Sequence, residues 1–388
     1  MILFTIILMD LLTGMEFDLF VPSFPELQDH FQLTAFFVEL SLSVNFIGYC
    51  ISLFVVGELA DRYGRKPIIL LGLLIFIFGS VLCLFSISYY FILAGRFFQG
   101  IGIAAPSILS FLIIADLYPI KKQQFLMTML NASMNSAVAF APVIGSYITK
   151  YLHWHGNFII LLLMGLIIFV MTLFFIPNVQ LTHKKSIENL LGYKTIFKSN
   201  VVVLLMVYFM IMYVPYWIFV GMSPLLYMKD LSVRLTHFGY YQGSLALTFA
   251  LGSLLFGFII HRYDHKKMLK LAIQIFIFSF LCIMLVAFQY NSNPLFITLA
   301  FVPFVIGQII PSNVLYPLYL NLMPESKGRL TALIQGGRLV FASIGLQIAG
   351  YFYQGSFFNI GIMISSVIFF VIIMMILVLK RWNIINGT

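Results

Sequence analysis

An all-α, polytopic membrane fold of twelve transmembrane helices in two pseudo-symmetric six-helix halves is what this chain predicts. Three observations lead there. Hydrophobic residues make up 62% of the 388 and charged residues 9%, against about 25% charged in a soluble domain. Apolar runs recur from end to end, each near the ~20 residues that cross the hydrocarbon of a bilayer, and they are continuous where a transmembrane barrel would alternate. The basic residues fall almost wholly on alternate connections.

The twelve spans are placed at roughly 2–28, 35–60, 67–88, 89–115, 124–151, 156–177, 200–228, 236–260, 268–290, 294–322, 330–353 and 356–379, with ends good to a few residues. Residues 9–25 of the first carry three acids, Asp10, Glu16 and Asp18, and close on Pro22 and Pro25. The second runs into "GELADRYGRKP", and the fourth opens on "LAGRFFQGIGIAAP" with Arg96 inside it. "AFAPVIGSYI" lies in the fifth, and "HWH", His153–His155, joins fifth to sixth. A longer polar connection, "NVQLTHKKSIENLLGYKTIFKSN", separates six spans from six. It divides the chain into an N-terminal half (1–177), a linker (178–199) and a C-terminal half (200–388). The seventh span reads "MVYFMIMYVPYWIF", the tenth holds Gln308 and Asn313, and the eleventh holds Arg338.

Of the 22 Lys and Arg, seventeen lie in or beside one set of connections: Arg62, Arg65, Lys66, Lys121, Lys122, Lys184, Lys185, Lys194, Lys198, Arg262, Lys266, Lys267, Lys270, Lys327, Arg329, Lys380 and Arg381. The alternate set holds Lys150, Lys229 and Arg234; Arg96 and Arg338 lie within spans. The positive-inside rule puts the seventeen, and with them both termini, in the cytoplasm. The net charge of +9 is therefore a topology signal and not a nucleic-acid one. Cys50, Cys83 and Cys282 sit in apolar runs and read as small hydrophobes. "HWH" reads as an interfacial anchor, since a metal site needs further placed ligands. No cofactor or metal is implied.

The halves share an internal repeat. "GELADRYGRKP" from Gly57 and "GFIIHRYDHKK" from Gly257 carry glycine, Arg-Tyr and Lys at the same offsets. A weaker pair is "YPIKKQQFLMTML" from Tyr118 and "MPESKGRLTALIQ" from Met323. Two parallel six-helix repeats are a way some transporters build a midplane site.

The chain resembles the major facilitator superfamily over its whole length. "GELADRYGRKP" is similar to that family's signature loop between helices two and three. "LAGRFFQGIGIAAP" resembles its helix-four motif, with Arg96, Gln99, Gly100 and Gly102 in place. "AFAPVIGSYI" resembles the helix-five motif of drug–proton antiporters, departing from its fullest form at Ala141 and Ser146. "DLFVPSFP" from Asp18 is similar to the D-x-x-x-P-x-x-P of the bicyclomycin/chloramphenicol-resistance group of multidrug exporters. Asp10 falls where some related antiporters carry a second membrane acid; Glu16 has no counterpart in the motif. The resemblance implies proton-coupled export of drugs or other amphipathic small molecules, with Asp18, Asp10 and Arg96 in proton coupling.

The residues carry physical expectations of their own. On one helix Asp10 and Asp18 are ~80° apart in azimuth, and Glu16 is ~160° from Asp18, so the three cannot all face one cavity. A carboxyl group in a poorly solvated cavity resists ionisation, and a cationic drug competing with its proton would couple the two. An acid at a helix end reaching interfacial water is the plainer alternative. Arg96, costly if unpaired, would be met by Asp18, Gln99 or carbonyls of span one, and serves either proton transfer or an interhelical tie. Gly57, Asp61, Arg62, Arg65 and Lys66 read as gating residues: Gly57 for close helix approach, Asp61 against a helix N-terminus near Ser326. A positive-inside anchor is the alternative. Pro142 and Gly145, three residues apart, would let the fifth helix bend and pack tightly.

Tyr208, Tyr213 and Trp217, with the amides of Asn45, Asn131, Asn135, Gln308 and Asn313, are candidate substrate contacts. Aromatic faces suit organic cations, although an interfacial belt explains aromatics too. Arg338 calls for either an internal acid, with Glu16 or Asp18 the preferred partners, or an anionic or zwitterionic substrate group. The partners implied are a small-molecule substrate, protons and the lipid bilayer, with no nucleic acid, for a single-copy protein in a bacterial inner membrane. Transport of a carboxylate-bearing metabolite such as a siderophore is the alternative. A membrane enzyme lacks its motifs, "HExxH" or a nucleophile elbow, and a non-transporting sensor would bind without flux.

Overall fold

A backbone that crosses hydrocarbon has to satisfy its own hydrogen bonds, which leaves helices for a chain without alternating strands. The computed structural model describes residues 1–178, 196–323 and 327–385, and among these there is no strand. In chain order the helices are α1 (Ile2–Asp18), α2 (Phe24–Phe31), α3 (Ala35–Tyr63), α4 (Arg65–Leu84), α5 (Tyr89–Leu117) and α6 (Ile120–Phe175). Then come α7 (Asn200–Met212), α8 (Val214–Pro224), α9 (Leu235–Ile259), α10 (His265–Gln289), α11 (Pro294–Asn321), α12 (Lys327–Phe352), α13 (Phe357–Lys380) and α14 (Trp382–Ile385). Most of the expected linker, 178–199, lies outside the described residues.

Among the described residues ten stretches are long and apolar enough to cross a membrane. One of them, Phe125–Phe175, breaks at His153, whose φ of 58° and ψ of −173° are not helical. Its two arms are the fifth and sixth expected spans. With the shorter, acid-bearing α1 they complete the twelve. Side chains such as Phe78, Leu255, Phe258 and Phe370 stay exposed, as a surface that meets lipid requires.

Two expected spans are interrupted. The first stops being α-helical at Asp18, passes through a 3-10 turn at Val21–Ser23, and resumes as α2. The reason is Pro22: it has no N–H to give to the Asp18 carbonyl four residues back. The seventh is divided into α7 and α8 at Tyr213, just before Pro215, and closes on a π-helical turn at Leu225–Asp230. Gln308 Nε2 of α11 donates to the Met212 carbonyl at that break, 2.6 Å away.

The helices form two compact units. One comprises α1–α6 with Arg234–Gly243; the other comprises α7, α8, the rest of α9 and α10–α14. The opening turns of α9 thus belong with the N-terminal helices.

Lipid tails give helices no hydrophobic reason to associate, so close packing of small residues has to serve. In the first unit α5 meets that need. A Cβ at Gly100 would lie 2.1 Å from the Asn45 carbonyl oxygen of α3, and one at Gly95 would lie 2.6 Å from the Gly79 carbonyl oxygen of α4. These contacts bury Arg96 and Gln99 on the same helix. Gly64, with φ 94°, makes the one-residue turn between α3 and α4, a conformation open to glycine at no steric cost.

Gly145 and Gly57 behave oppositely. A Cβ on Gly145 of α6 would sit 2.1 Å from the Leu19 carbonyl oxygen, whereas one on Gly57 would meet nothing within 4 Å among the described residues. Among those residues, no close approach of the kind expected at Gly57 is seen. Gly145→Ala forces α6 off the end of α1 and should cost about 1–3 kcal/mol. Gly57→Ala fills open space inside a helix and should be neutral or stabilising by up to about 1 kcal/mol. Thermal unfolding of the two variants in detergent tests this: equal midpoints would mean that α1 and α6 separate freely.

Candidate functional site

The three acids of α1 are all buried: Asp10 and Glu16 have no exposed surface and Asp18 has 1%. Their helical spacing sends them to different neighbours. Glu16 faces α5, where its Oε1 accepts from Arg96 Nη1 at 2.6 Å; both side chains are fully buried. Asp18, about 160° round the axis, instead accepts from Gln242 Nε2 at 3.2 Å. Gln242 lies in the opening turns of α9 that belong to this unit. Asp10 is different again: its carboxyl group lies against the Met134 backbone of α6, and no side chain among the described residues bonds it.

The Glu16–Arg96 pair is held by polar side chains from two more helices. Asn45 Nδ2 of α3 reaches both Glu16 Oε1 (2.8 Å) and the Arg96 carbonyl (2.9 Å). Arg96 Nη1 also donates to Gln99 Oε1 (2.9 Å), and Gln99 Nε2 donates to Ser80 Oγ of α4 (2.8 Å). The guanidinium carbon stands 5.3 Å from the centre of the Phe20 ring, a favourable cation–π distance. Four helices therefore converge on one ion pair. It is incompletely satisfied: Glu16 Oε2 and Arg96 Nε and Nη2 are buried without a partner among the described residues.

Of the partners expected for Arg96, Gln99 is found and Asp18 is not; the acid that meets it is Glu16. The preferred pairing of Arg338 with Glu16 is corrected too, since Arg96 holds Glu16. Arg338 has its guanidinium 5.3 Å from the Tyr213 ring centre. Among the described residues no carboxylate forms an ion pair with it.

The other expected site residues divide. Pro142 and Gly145 adjoin the acid site: a Cβ at Gly239 of α9 would lie 2.6 Å from the Pro142 carbonyl oxygen, three residues before Gln242. Asn45 supports the ion pair, Gln308 supports the α7–α8 break, and Asn313 Nδ2 is shared between Ser253 Oγ and the Ile309 carbonyl. Asn131 is exposed and bonds the Met127 carbonyl of its own helix, and Asn135 is half-buried. Tyr208 is fully buried with its hydroxyl unpartnered. Tyr213 pairs its hydroxyl with Ser312 Oγ at 3.1 Å, and the Trp217 ring meets Tyr216 edge-on at 5.9 Å.

In the signature loop, Asp61 is bonded to Arg65 at 2.5 Å, and Arg65 also holds Asp116 of α5 at 3.1 Å. The helix N-terminus expected opposite Asp61, near Ser326, lies outside the described residues. Arg62 lies over its neighbour Tyr63, and Lys66 caps the Leu173 carbonyl of α6 at 2.7 Å. His153, the first residue of "HWH", bonds Glu26 of α2 at 2.8 Å and so fastens the break in α6.

Four residues escaped the sequence reading as site members. Glu16 reads from the sequence as an acid without a motif and as a candidate partner of Arg338, but not as the partner of Arg96; Gln242 and Asp116 carry no signal. Glu39 of α3 is fully buried with both oxygens unpartnered among the described residues; an acid inside an apolar span was its one available sign.

A buried pair that loses one member leaves an uncompensated charge, costing about 3–5 kcal/mol. Glu16→Ala should therefore destabilise the protein more than Asp10→Asn or Asp18→Asn. Adding Arg96→Met to Glu16→Ala should recover part of the loss. Unfolding midpoints of the four variants check this; a double variant no more stable than the single would show that the charge is not what the single variant strands.

Comparison with known proteins places these features in context. The family model of the Major Facilitator Superfamily matches residues 6–346. A bicyclomycin resistance protein homolog of Haemophilus influenzae is 26% identical over 355 residues, covering 88% of this chain and 86% of that protein. The chloramphenicol resistance protein CraA of Acinetobacter baumannii is 25% identical over 321 residues, covering 82% and 77%. Among solved structures, the xylose transporter XylE of E. coli superposes with a TM-score of 0.75 at 12% identity, covering 98% of this chain and 96% of that one, a likeness of fold. The match along nearly the whole length, on helices that carry the buried acids and the Arg96 motif, means that the chain belongs to the Major Facilitator Superfamily.

Proposed function

We propose that this protein is a proton-coupled exporter of drugs or other amphipathic small molecules, working by alternating access. The observation that carries the reading is the set of buried carboxyl groups on α1, of which Asp10 and Asp18 have no cationic partner among the described residues. A charge within a span is costly and is retained for function by default. The names of relatives such as the bicyclomycin and chloramphenicol resistance proteins support drug export. The positive-inside pattern supports a bacterial inner-membrane location with both termini cytoplasmic. We take the protein to act as a single copy.

In this mechanism Asp18 is the proton carrier. Gln242 donates to its carboxylate, and this bond weakens when a proton occupies the acceptor oxygen. Proton binding at Asp18 is thereby linked to the opening turns of α9, which pack on α6 at Pro142. Asp10, with no side-chain partner among the described residues, takes either a proton or the cationic group of a substrate, and exchange follows from competition for one negative charge. Arg96 and Glu16 fix α1 against α5, so that movement of charge at Asp18 acts on a rigid support. Asp61, Arg65 and Asp116 lie at the cytoplasmic end and tie α3, α4 and α5 together as the gate region works.

Uptake into inside-out vesicles under an imposed pH gradient, acid inside, tests the reading. Asp18→Asn should abolish gradient-driven transport of every substrate while the protein stays folded. Asp10→Asn should reduce transport of cations more than of neutral compounds, by about tenfold if one charge-assisted contact is lost. Full active transport by Asp18→Asn would remove Asp18 as carrier, and an equal loss for cations and neutrals would remove Asp10 from charge recognition.

A further inference from the structure

The second unit contains a cavity of about 170 Å³ whose walls include Phe209, Tyr213, Ser312, Tyr316, Gln335 and Arg338. Its aromatic side is fixed: Phe209 and Tyr316 meet edge to face at 5.5 Å, and the Tyr213 hydroxyl is tied to Ser312. Its polar side comes from α12, where Gln335 and Arg338 stand three residues apart and so share a face. Both offer unmatched hydrogen-bonding groups. Arg338 Nε is buried with its donor unused, and Gln335 Oε1 is buried with its acceptor unused, among the described residues.

A guanidinium cannot escape the cost of burial by losing its proton. The Tyr213 face offsets part of that cost, and no described carboxylate pairs with Arg338. The missing complement is thus an anion beside a hydrogen-bond donor. The space decides how much of a ligand enters. Pockets that enclose a drug-sized molecule run to about 300–1,000 Å³, so this cavity takes one end of such a molecule.

We propose that this cavity is a subsite for an aromatic end bearing a carboxylate next to an O–H or N–H, and that the exporter's substrates include acidic and zwitterionic amphipaths. Arg338 receives the carboxylate, Gln335 accepts from the neighbouring donor, and Tyr213, Phe209 and Tyr316 enclose the ring. This assignment of substrate class rests on the exporter reading, which a separate measurement tests.

The experiment is binding to the purified full-length protein by titration calorimetry, with 3-hydroxybenzoate, its amide 3-hydroxybenzamide, and benzoate. Wild type should prefer the acid to the amide. Arg338→Gln should cut that preference about tenfold, the size of one charge-assisted hydrogen bond, and Arg338→Lys should retain part of it. Gln335→Leu should lower the preference for 3-hydroxybenzoate over benzoate and leave the acid-to-amide ratio in place. No preference in wild type, or a preference that survives Arg338→Gln, overturns the subsite. Should Arg338→Gln fail to fold, the wild-type ratio and Arg338→Lys still decide. Gradient-driven efflux of ethidium by wild type separates the two ideas. Efflux without acid preference leaves an exporter lacking this subsite; acid preference with no gradient-driven movement of ethidium or 3-hydroxybenzoate keeps the subsite and removes the exporter reading.

Discussion

The Glu16–Arg96 contact draws together α1, α3, α4 and α5, because the groups that make it tolerable come from all four helices. Glu16 comes from α1, Asn45 from α3, Ser80 from α4, and Arg96 and Gln99 from α5. In hydrocarbon these groups have no water to fall back on, so separating the helices means stranding charges. The small residues of α5 make the convergence possible, since bulkier ones would hold Asn45 away from the pair. Packing and polarity here depend on one another: close approach buries the charges, and the buried charges keep the helices close.

The same logic explains why functional side chains collect at helix breaks. Proline in a span frees a carbonyl, and the freed group has to find a partner within protein. At the end of α1 the break after Asp18 lets the backbone pass through a 3-10 turn, which brings the Leu19 carbonyl against Gly145. At the α7–α8 break, Gln308 bonds the Met212 carbonyl, and the adjacent Tyr213 turns its ring to Arg338. In both places a local hydrogen-bonding necessity sets the position of a residue assigned to transport.

Charge is arranged differently in the two units. The first holds buried acids, three of them (Asp10, Asp18 and Glu39) without a cation among the described residues, beside one strongly held ion pair. The second holds a guanidinium whose described partner is an aromatic face. A transporter that needs only to move cations has no use for the latter, and its cost argues for a ligand with an acidic end. Under the proposed mechanism such substrates are still carried by a proton-coupled cycle, because the proton would be exchanged at the acids of α1 and not at Arg338.

Fold class, span order and the acid-bearing first helix were legible from the sequence because they follow from local quantities. Apolar length fixes a span, and a proline interrupts the helix whatever surrounds it. Helical periodicity likewise required Glu16 and Asp18 to face apart. Which helix each of them would meet was not in that information. Glu16 found Arg96, 80 residues along the chain, and Asp18 found Gln242, 224 residues along. Asp61 found Arg65 and, through it, Asp116, and Gly57 found open space. Partnership across such distances is set by the register of one packed helix on another, and that register depends on every small residue and every buried polar group along both surfaces at once. For this reason the sequence determined what the helices are and which charges had to be accommodated, and only the tertiary structure decided which residues accommodate them.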